Sequence, residues 1–333
     1  MEHGIFRPFQ PRVAKTLPNH VYPGAVAERT SGQDRPGERD FNPDAAWFNS
    51  GRSAFGQESL ALRIGPLRVG LEGLSVRQRD RFQGQYRPFL DPGHGALDLT
   101  LRLTRADREA FLRLPAGQAE VYRMPTRRDA AARRWWSYEF AGSLFPEQHR
   151  GELALVAEEG LLFERGSENF LRAMTAQFIL ERGGLLLHGS AIVRGGRAYV
   201  FFGPSGSGKT TVTRLSPRDL VLSDDLTLIV PSEQGFRAAG IPFGMAHHHV
   251  PDTNEAFPIA GLHRLLQSRE VRRERVHGAA AMAEVIGSLP FVLDGDVDPR
   301  PAMENTARLI GAVPLWRLHF RKDDAFWDVI EER

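Results

Sequence analysis

The sequence predicts an α/β protein of α+β character, in which a small, mainly antiparallel β-rich domain precedes a larger domain of strands and helices. Three observations predict it. Segments between residues 51 and 165 alternate apolar and polar side chains with period two, as half-buried strands do. From residue 166 onward, helical spacings join the strands. Within that second part, Gly203-Pro204-Ser205-Gly206-Ser207-Gly208-Lys209-Thr210 fits G-x-x-x-x-G-K-[ST] at every position, between an apolar strand and a short helical stretch.

The elements follow in order. Residues 1–50 are rich in Pro, Gly, Arg and Asp and read as an extended or poorly ordered leader, which Pro8-Phe9, Phe41 and Trp47-Phe48 can pin to the body. Domain 51–165 offers strands at Leu60–Ile64, Leu67–Val69, Leu97–Leu103, Glu120–Met124 and Glu152–Val156. Its cluster Arg133-Arg134-Trp135-Trp136 has the composition of a base or acidic-peptide binder. It reads better as a half-buried strand whose tryptophans pack in a core or interface.

Domain 166–333 opens with Ser167 placed to cap a helix over Glu168–Arg182, where Phe170, Leu171, Met174, Phe178 and Ile179 share a face and Gly183-Gly184 ends the run. Leu185–Val193 and Arg197–Phe202 read as a hairpin around Arg194-Gly195-Gly196. After the glycine-rich loop come a short helix, Thr211–Leu215, and a strand from Leu220 that ends in Asp224-Asp225. Ile259–Ser268 reads as an amphipathic helix with Leu262, Leu265 and Leu266 inward. The run Arg269–Arg275 reads as a solvated face, with an arginine finger as its alternative. Asp294–Asp298 lacks the later positions of a calcium loop and reads as a turn. Val313–Phe320 reads as a late strand and Phe326–Ile330 as a closing helix.

Composition narrows the function classes. The formal net charge of +2 is too small to argue for nucleic acid. Without cysteine, disulfides and thiolate metal sites are excluded. No apolar run reaches the length of a membrane span, and Met1–Phe6 lacks the apolar core of a secretory signal. A cytoplasmic protein is the expectation.

The chemistry sits around the loop, which is a P-loop by pattern and context. Such a loop turns backbone N–H groups inward to cradle phosphate oxygens, and its glycines admit close approach. Gly203, Pro204, Ser205, Gly206, Ser207, Gly208, Lys209, Thr210 and Thr211 form the expected nucleotide-binding set. Lys209 would reach the β/γ-phosphates, and the Thr210 hydroxyl would ligate Mg²⁺. An apolar strand that ends in Asp224-Asp225 supplies the carboxylates a Walker-B-type Mg²⁺ site requires. One aspartate would serve the metal and the other would take a proton from an attacking hydroxyl; the sequence leaves open which does which, and also leaves open one structural Asp. His188 can donate to a phosphate oxygen or tune the base, or be a buried structural histidine. Gly240–Gly244 reads as a strand-to-loop element near the site. His247-His248-His249 is a poor metal cluster, because adjacent loop residues rarely converge on one ion, and reads as a loop touching substrate or phosphate.

The ordered set His188-Gly189, Gly203 to Thr210 and Asp224-Asp225 resembles the HPr kinase/phosphorylase catalytic domain and, more broadly, the superfamily it forms with ATP-dependent phosphoenolpyruvate carboxykinase. The resemblance spans about residues 166–333 and is strongest from Leu185 to Val230. It implies a P-loop domain with the mixed sheet of that superfamily, ATP and Mg²⁺ as ligands, and His188, Lys209, Thr210, Asp224 and Asp225 as catalytic or ligand residues. It further implies transfer of a terminal phosphate to a serine of a peptide or protein, or to a small metabolite, and it admits a homo-oligomer. The rival expectations are a non-catalytic nucleotide switch or scaffold and a simple NTPase.

Overall fold

The structure, a computed structural model, describes residues 51–93, 95–112, 124, 126–128, 132–243, 251–291 and 298–332. The leader at 1–50, the Glu120–Met124 strand apart from Met124, Gly244, His247–His249 and the 294–298 turn apart from Asp298 lie outside the described residues. Among the described residues the chain forms a mixed α/β fold with two eight-stranded sheets. None of the described helices is long and apolar enough to cross a membrane.

The first sheet holds β1 (Arg52–Ala54), β2 (Glu58–Ile64), β3 (Leu67–Leu74), β4 (Leu99–Ala106), β5 (Thr126–Arg128), β6 (Arg133–Trp136), β7 (Phe140–Phe145) and β8 (Arg150–Leu155). Their order is β2-β3-β4-β8-β7-β6-β5, with β1 also on β4. Most pairs are antiparallel as expected, yet the central strand β4 runs parallel to both β3 and β8, so this sheet is mixed. A parallel pair needs a long crossover, and α1 (Val76–Gln85) lies on the one between β3 and β4. The sequence hid this helix because it buries only Gln78 and Phe82; its start is marked by a capping box between Ser75 and Gln78. Trp135 and Trp136 are buried, which bears out their reading as core.

Helix α2 (Gly160–Glu181) begins eight residues before the expected start. Ser167 is no cap: it lies inside the helix, and its hydroxyl donates to Phe163 O at 2.7 Å. Polar residues within these first two turns have partners, among them Arg165 with Glu139 at 2.6 Å. The boundary expected at 165/166 therefore falls within α2. Phe170 packs edge-on against Trp135 and Phe140 of the first sheet, and Gly142 leaves no room for a side chain beneath its ring. One apolar cluster runs from Leu62 in β2 to Leu315 in the second sheet.

The second sheet holds β9 (Leu185–Arg194), β10 (Arg197–Phe202), β11 (Leu220–Ser223), β12 (Leu226–Ser232), β13 (Gly235–Ala239), β14 (Phe257–Gln267), β15 (Arg272–Val276) and β16 (Leu315–Phe320). The segment expected as an amphipathic helix is the strand β14. It runs parallel to β10 on one side and to β16 on the other, and both its faces are largely covered. Burial on two faces erases the period-two alternation, so its leucines mimic helical spacing. The arginine run after it makes a turn and the edge strand β15, with Arg269, Glu270, Arg272 and Arg275 exposed as a solvated face. The expected hairpin β9–β10 and the late strand β16 are present. Helices α3 (Lys209–Arg214), α4 (Gly278–Ile286), α5 (Arg300–Ala312) and α6 (Phe326–Glu331) complete the described residues.

The pairings of this sheet close on themselves through β10-β9-β12-β13-β14 and back to β10. Two long strands make closure possible. β9 pairs with β12 over Leu185–His188 and with β10 over Gly189–Arg194. β14 pairs with β13 at its start and with β10 and β16 further on. The handover in β9 falls between His188 and Gly189. A Cβ on Gly189 would lie 2.9 Å from Phe201 O, so the close approach of β10 there favours glycine.

Candidate functional site

Register builds the site. His188 is the last residue of β9 paired to β12, opposite Leu226, and Asp225 immediately precedes Leu226. Gly189 is opposite Phe202, and Gly203 immediately follows Phe202. Phe202 in turn lies beside Arg264 of β14. The strand handover thus sets His188, Asp225, the entry of the 203–210 loop and Arg264 around one point.

The side chains use that convergence. His188 Nε2 lies 3.3 Å from Asp225 Oδ1. The His188 amide is tied to Ser288 O at 2.8 Å, which fixes the backbone under the ring. Asp225 is buried, and its amide accepts no freedom either, since it donates to Ser223 Oγ. Asp224 is half-buried, one step earlier in the same turn. The structure therefore separates the two carboxylates: Asp225 faces His188 inside, and Asp224 lies nearer the surface.

Lys209 opens α3 and is buried. Its Nζ donates to Gly203 O at 2.9 Å and Pro204 O at 3.3 Å, folding the loop around its own ammonium. Burial pulls its pKa below the ordinary lysine value; the Asp225 charge opposes this and Arg264 adds to it. Gly206 and Gly208 hold left-handed backbone, at φ of 77° and 111°. A side chain on Gly208 would also strike the Phe320 ring, at 2.4 Å. Ser207 Oγ is buried without a hydrogen-bond partner. Thr210 is exposed on the first turn of α3, and Thr211 borders a recess of ≈ 230 Å³ with Gly208, Gln267 and Phe320.

A larger cleft of ≈ 510 Å³ lies elsewhere, among Arg63, Arg182, Val230, Arg237 and Asn254. It sits by the far end of β12 from Asp225, so volume alone does not mark the chemistry. Among the described residues no three His, Cys, Asp or Glu side chains form a self-sufficient metal cluster. The oxygen donors Asp224, Asp225 and Thr210 are instead the kind that hold Mg²⁺ together with phosphate.

Of the Gly240–Gly244 element, Ile241 and Phe243 are buried, and Phe243 O accepts from the fully buried Arg172 at 3.0 and 2.7 Å. The arginine run at 269–275 is engaged elsewhere: Arg273 donates to Ile330 O at 3.0 Å and, with Arg275, covers Trp316. The guanidinium beside the loop belongs to Arg264, which sequence reasoning missed because its segment read as a helix. A strand reading of Phe257–Gln267 parallel to the loop strand would have found it.

Residues 171–333 match a family model described as SynChlorMet cassette protein ScmC. The match begins within α2 and takes in the whole second sheet. No curated protein matches the chain.

Proposed function

We propose that this protein is a phosphotransferase of the HPr kinase-like group, which moves the γ-phosphoryl of ATP to a hydroxyl of a peptide, a protein or a small metabolite. The observation that carries the reading is the convergence of Lys209, Asp225 and His188 on the entry of a glycine-rich loop. A buried ammonium and an orphaned Ser207 hydroxyl are donors suited to phosphate oxygens. The carboxylate next to them suits proton removal.

In this reading the loop amides and Lys209 hold the phosphates, with Lys209 exchanging the Gly203 and Pro204 carbonyls for phosphate oxygens. Asp225, oriented by His188, accepts the acceptor hydroxyl's proton. The acceptor oxygen forms its bond to the γ-phosphorus while the bond to the β,γ-bridging oxygen breaks, and ADP leaves. Asp224 and Thr210 are the residues that would hold Mg²⁺. That ion, when bound, supplies charge neutralisation on the phosphates. Catalysis rests on positioning and electrostatics rather than on a covalent intermediate. We place the protein in the cytoplasm, where ATP is abundant.

The test is mass spectrometry of candidate peptides and metabolites after incubation with Mg-ATP, comparing wild type with Asp225→Asn. A phosphorylated product made by wild type alone is expected. Tight nucleotide binding with neither product nor ADP would instead favour a nucleotide-dependent switch.

A further inference from the structure

Arg264 carries a charge that the described molecule does not neutralise. Its hydrogen bond goes to Leu265 O at 3.3 Å, and among the described residues it makes no ion pair. The contrast is with its neighbour in register, Arg317 of β16, which binds Glu284 through Nε at 2.8 Å and Nη2 at 2.7 Å. Glu284 is thus the nearby carboxylate; both Arg317 contacts fall on its Oε1, and its buried Oε2 makes no hydrogen bond to Arg264 or to any other described group.

The position of Arg264 is specific. A Cβ built on Gly203 would lie 2.6 Å from its Nη1, so the guanidinium rests against the first residue of the loop. Any side chain at residue 203 would displace it. It is partly buried, and both burial and the Arg317 charge depress its pKa, with Glu284 opposing. Keeping an unpaired cation partly out of water beside a second buried cation, Lys209, is costly unless an anion joins them.

The kind of anion follows from which end of the loop is involved. Lys209 Nζ sits at the Gly203 and Pro204 carbonyls, at the loop entry. A P-loop lysine serves the β/γ end of a nucleotide, so the entry is the terminal-phosphate end. We propose that Arg264 clamps the terminal phosphate of a nucleoside triphosphate held in this loop, and that the Glu284–Arg317 pair is the brace that keeps Arg264 unpaired until the phosphate arrives. The inference rests on the nucleotide reading given above and adds its specificity: triphosphate over diphosphate. A planar guanidinium fork matches phosphate oxygens in pairs, which an ammonium does not. Arg317 and Glu284 are positioning residues here.

Equilibrium titration of the full chain with ATP and with ADP tests it, using wild type, Arg264→Gln, Arg264→Lys and Arg317→Ala. Arg264→Gln should weaken ATP by about tenfold or more, as loss of a charged hydrogen-bond pair does, and leave ADP nearly unchanged. Arg264→Lys should fall between. Arg317→Ala should also weaken ATP, because Glu284 is released to pair with Arg264, and adding Glu284→Gln should restore it. A merely structural role would not produce that restoration or the ATP-to-ADP split. Equal loss of ATP and ADP, or no loss, overturns the inference while leaving the nucleotide reading intact. A wild type that binds neither nucleotide overturns both.

Discussion

The two sheets treat buried charge in opposite ways. In the first half, poorly exposed arginines meet carboxylates: Arg68 faces Asp91 at 2.8 Å, Arg133 faces Glu181, and Arg165 faces Glu139 at 2.6 Å. In the second half, Lys209 and Arg264 make no ion pair among the described residues, although Asp225 and Glu284 stand close by. Those two acids are engaged with His188 and Arg317. A sheet that serves packing neutralises its own charges, since a buried unpaired ion costs several kcal/mol. Leaving two cations unmatched at one strand end is what a site for an external anion requires. The first sheet teaches what ordinary stabilisation looks like in this chain, and the second departs from it at the entry of the glycine-rich loop.

The sharpest way to break this comparison is to remove one cation from each half. Lys209→Ala should lower phosphoryl transfer by on the order of 10³-fold or more. It should leave the melting temperature unchanged or slightly raised, because a desolvated charge is lost. Arg165→Ala should do the reverse. It removes an ion pair of the buried Glu139 and should cost about 3 kcal/mol or more of stability, with transfer intact in the folded fraction. Paired assays of turnover and thermal unfolding decide it. If Lys209→Ala keeps full activity, the site is misplaced.

A second test asks whether the halves are separable. Phe170 of α2 reaches Trp135 and Phe140 in the first sheet, from a helix that also packs on the second. Phe170→Ala should cost about 3–5 kcal/mol. Because one apolar cluster spans both sheets, unfolding should remain a single transition at lower denaturant. Two separated transitions would show that the halves fold independently.

Legibility followed the same division. The loop, its flanking strand and helix, the hairpin before it and the Asp pair were readable because each depends on local chemistry: glycine at left-handed positions, a lysine at fixed spacing, an apolar run with a sharp end. Trp135 and Trp136 were readable as core for the same reason. What failed was decided by distant partners. β14 looks helical because both its faces are largely buried, and only pairing with β10 across some 60 residues reveals the strand. The start of α2 was masked by polar residues whose partners, Arg81 of α1 and Glu139 just before β7, lie outside the helix. Arg264 was missed with β14, and the distinct settings of Asp224 and Asp225 came only from the β9–β12 register.

A pH-dependent effect also separates the two halves. His263, next to Arg264 on β14, is fully buried, stacks on Phe201 at 5.3 Å, and has no partner for either ring nitrogen. Burial, aided by Arg273, pushes its pKa down to about 3 from 6.5. The folded state therefore resists a proton that the unfolded chain accepts. Its contribution is complete above pH 6.5 and is lost as pH falls toward 3, at about 1.4 kcal/mol per pH unit within that window. His263→Phe should flatten this acid slope relative to wild type in denaturant titrations between pH 4 and 7. An unchanged slope would mean that the ring finds a partner on protonation.

The smallest expected effect has the opposite sign and belongs to the junction between the sheets. Glu168 of α2 is buried, and burial raises its pKa above 4.5, while the Arg172 charge and hydrogen bonds from Gln85 and Tyr86 pull the other way. The folded carboxyl thus holds its proton more readily than the unfolded one. Its contribution is complete below 4.5 and is lost as pH rises through the folded value. Glu168→Gln keeps the size and an acceptor for Gln85 and Tyr86 but cannot titrate. The stability of wild type minus that of the variant should therefore fall as pH rises from 4 to 7. A difference that rises over this range would mean that Arg172, 3.9 Å away, outweighs burial, and that the junction pairs its charges as tightly as the first sheet does.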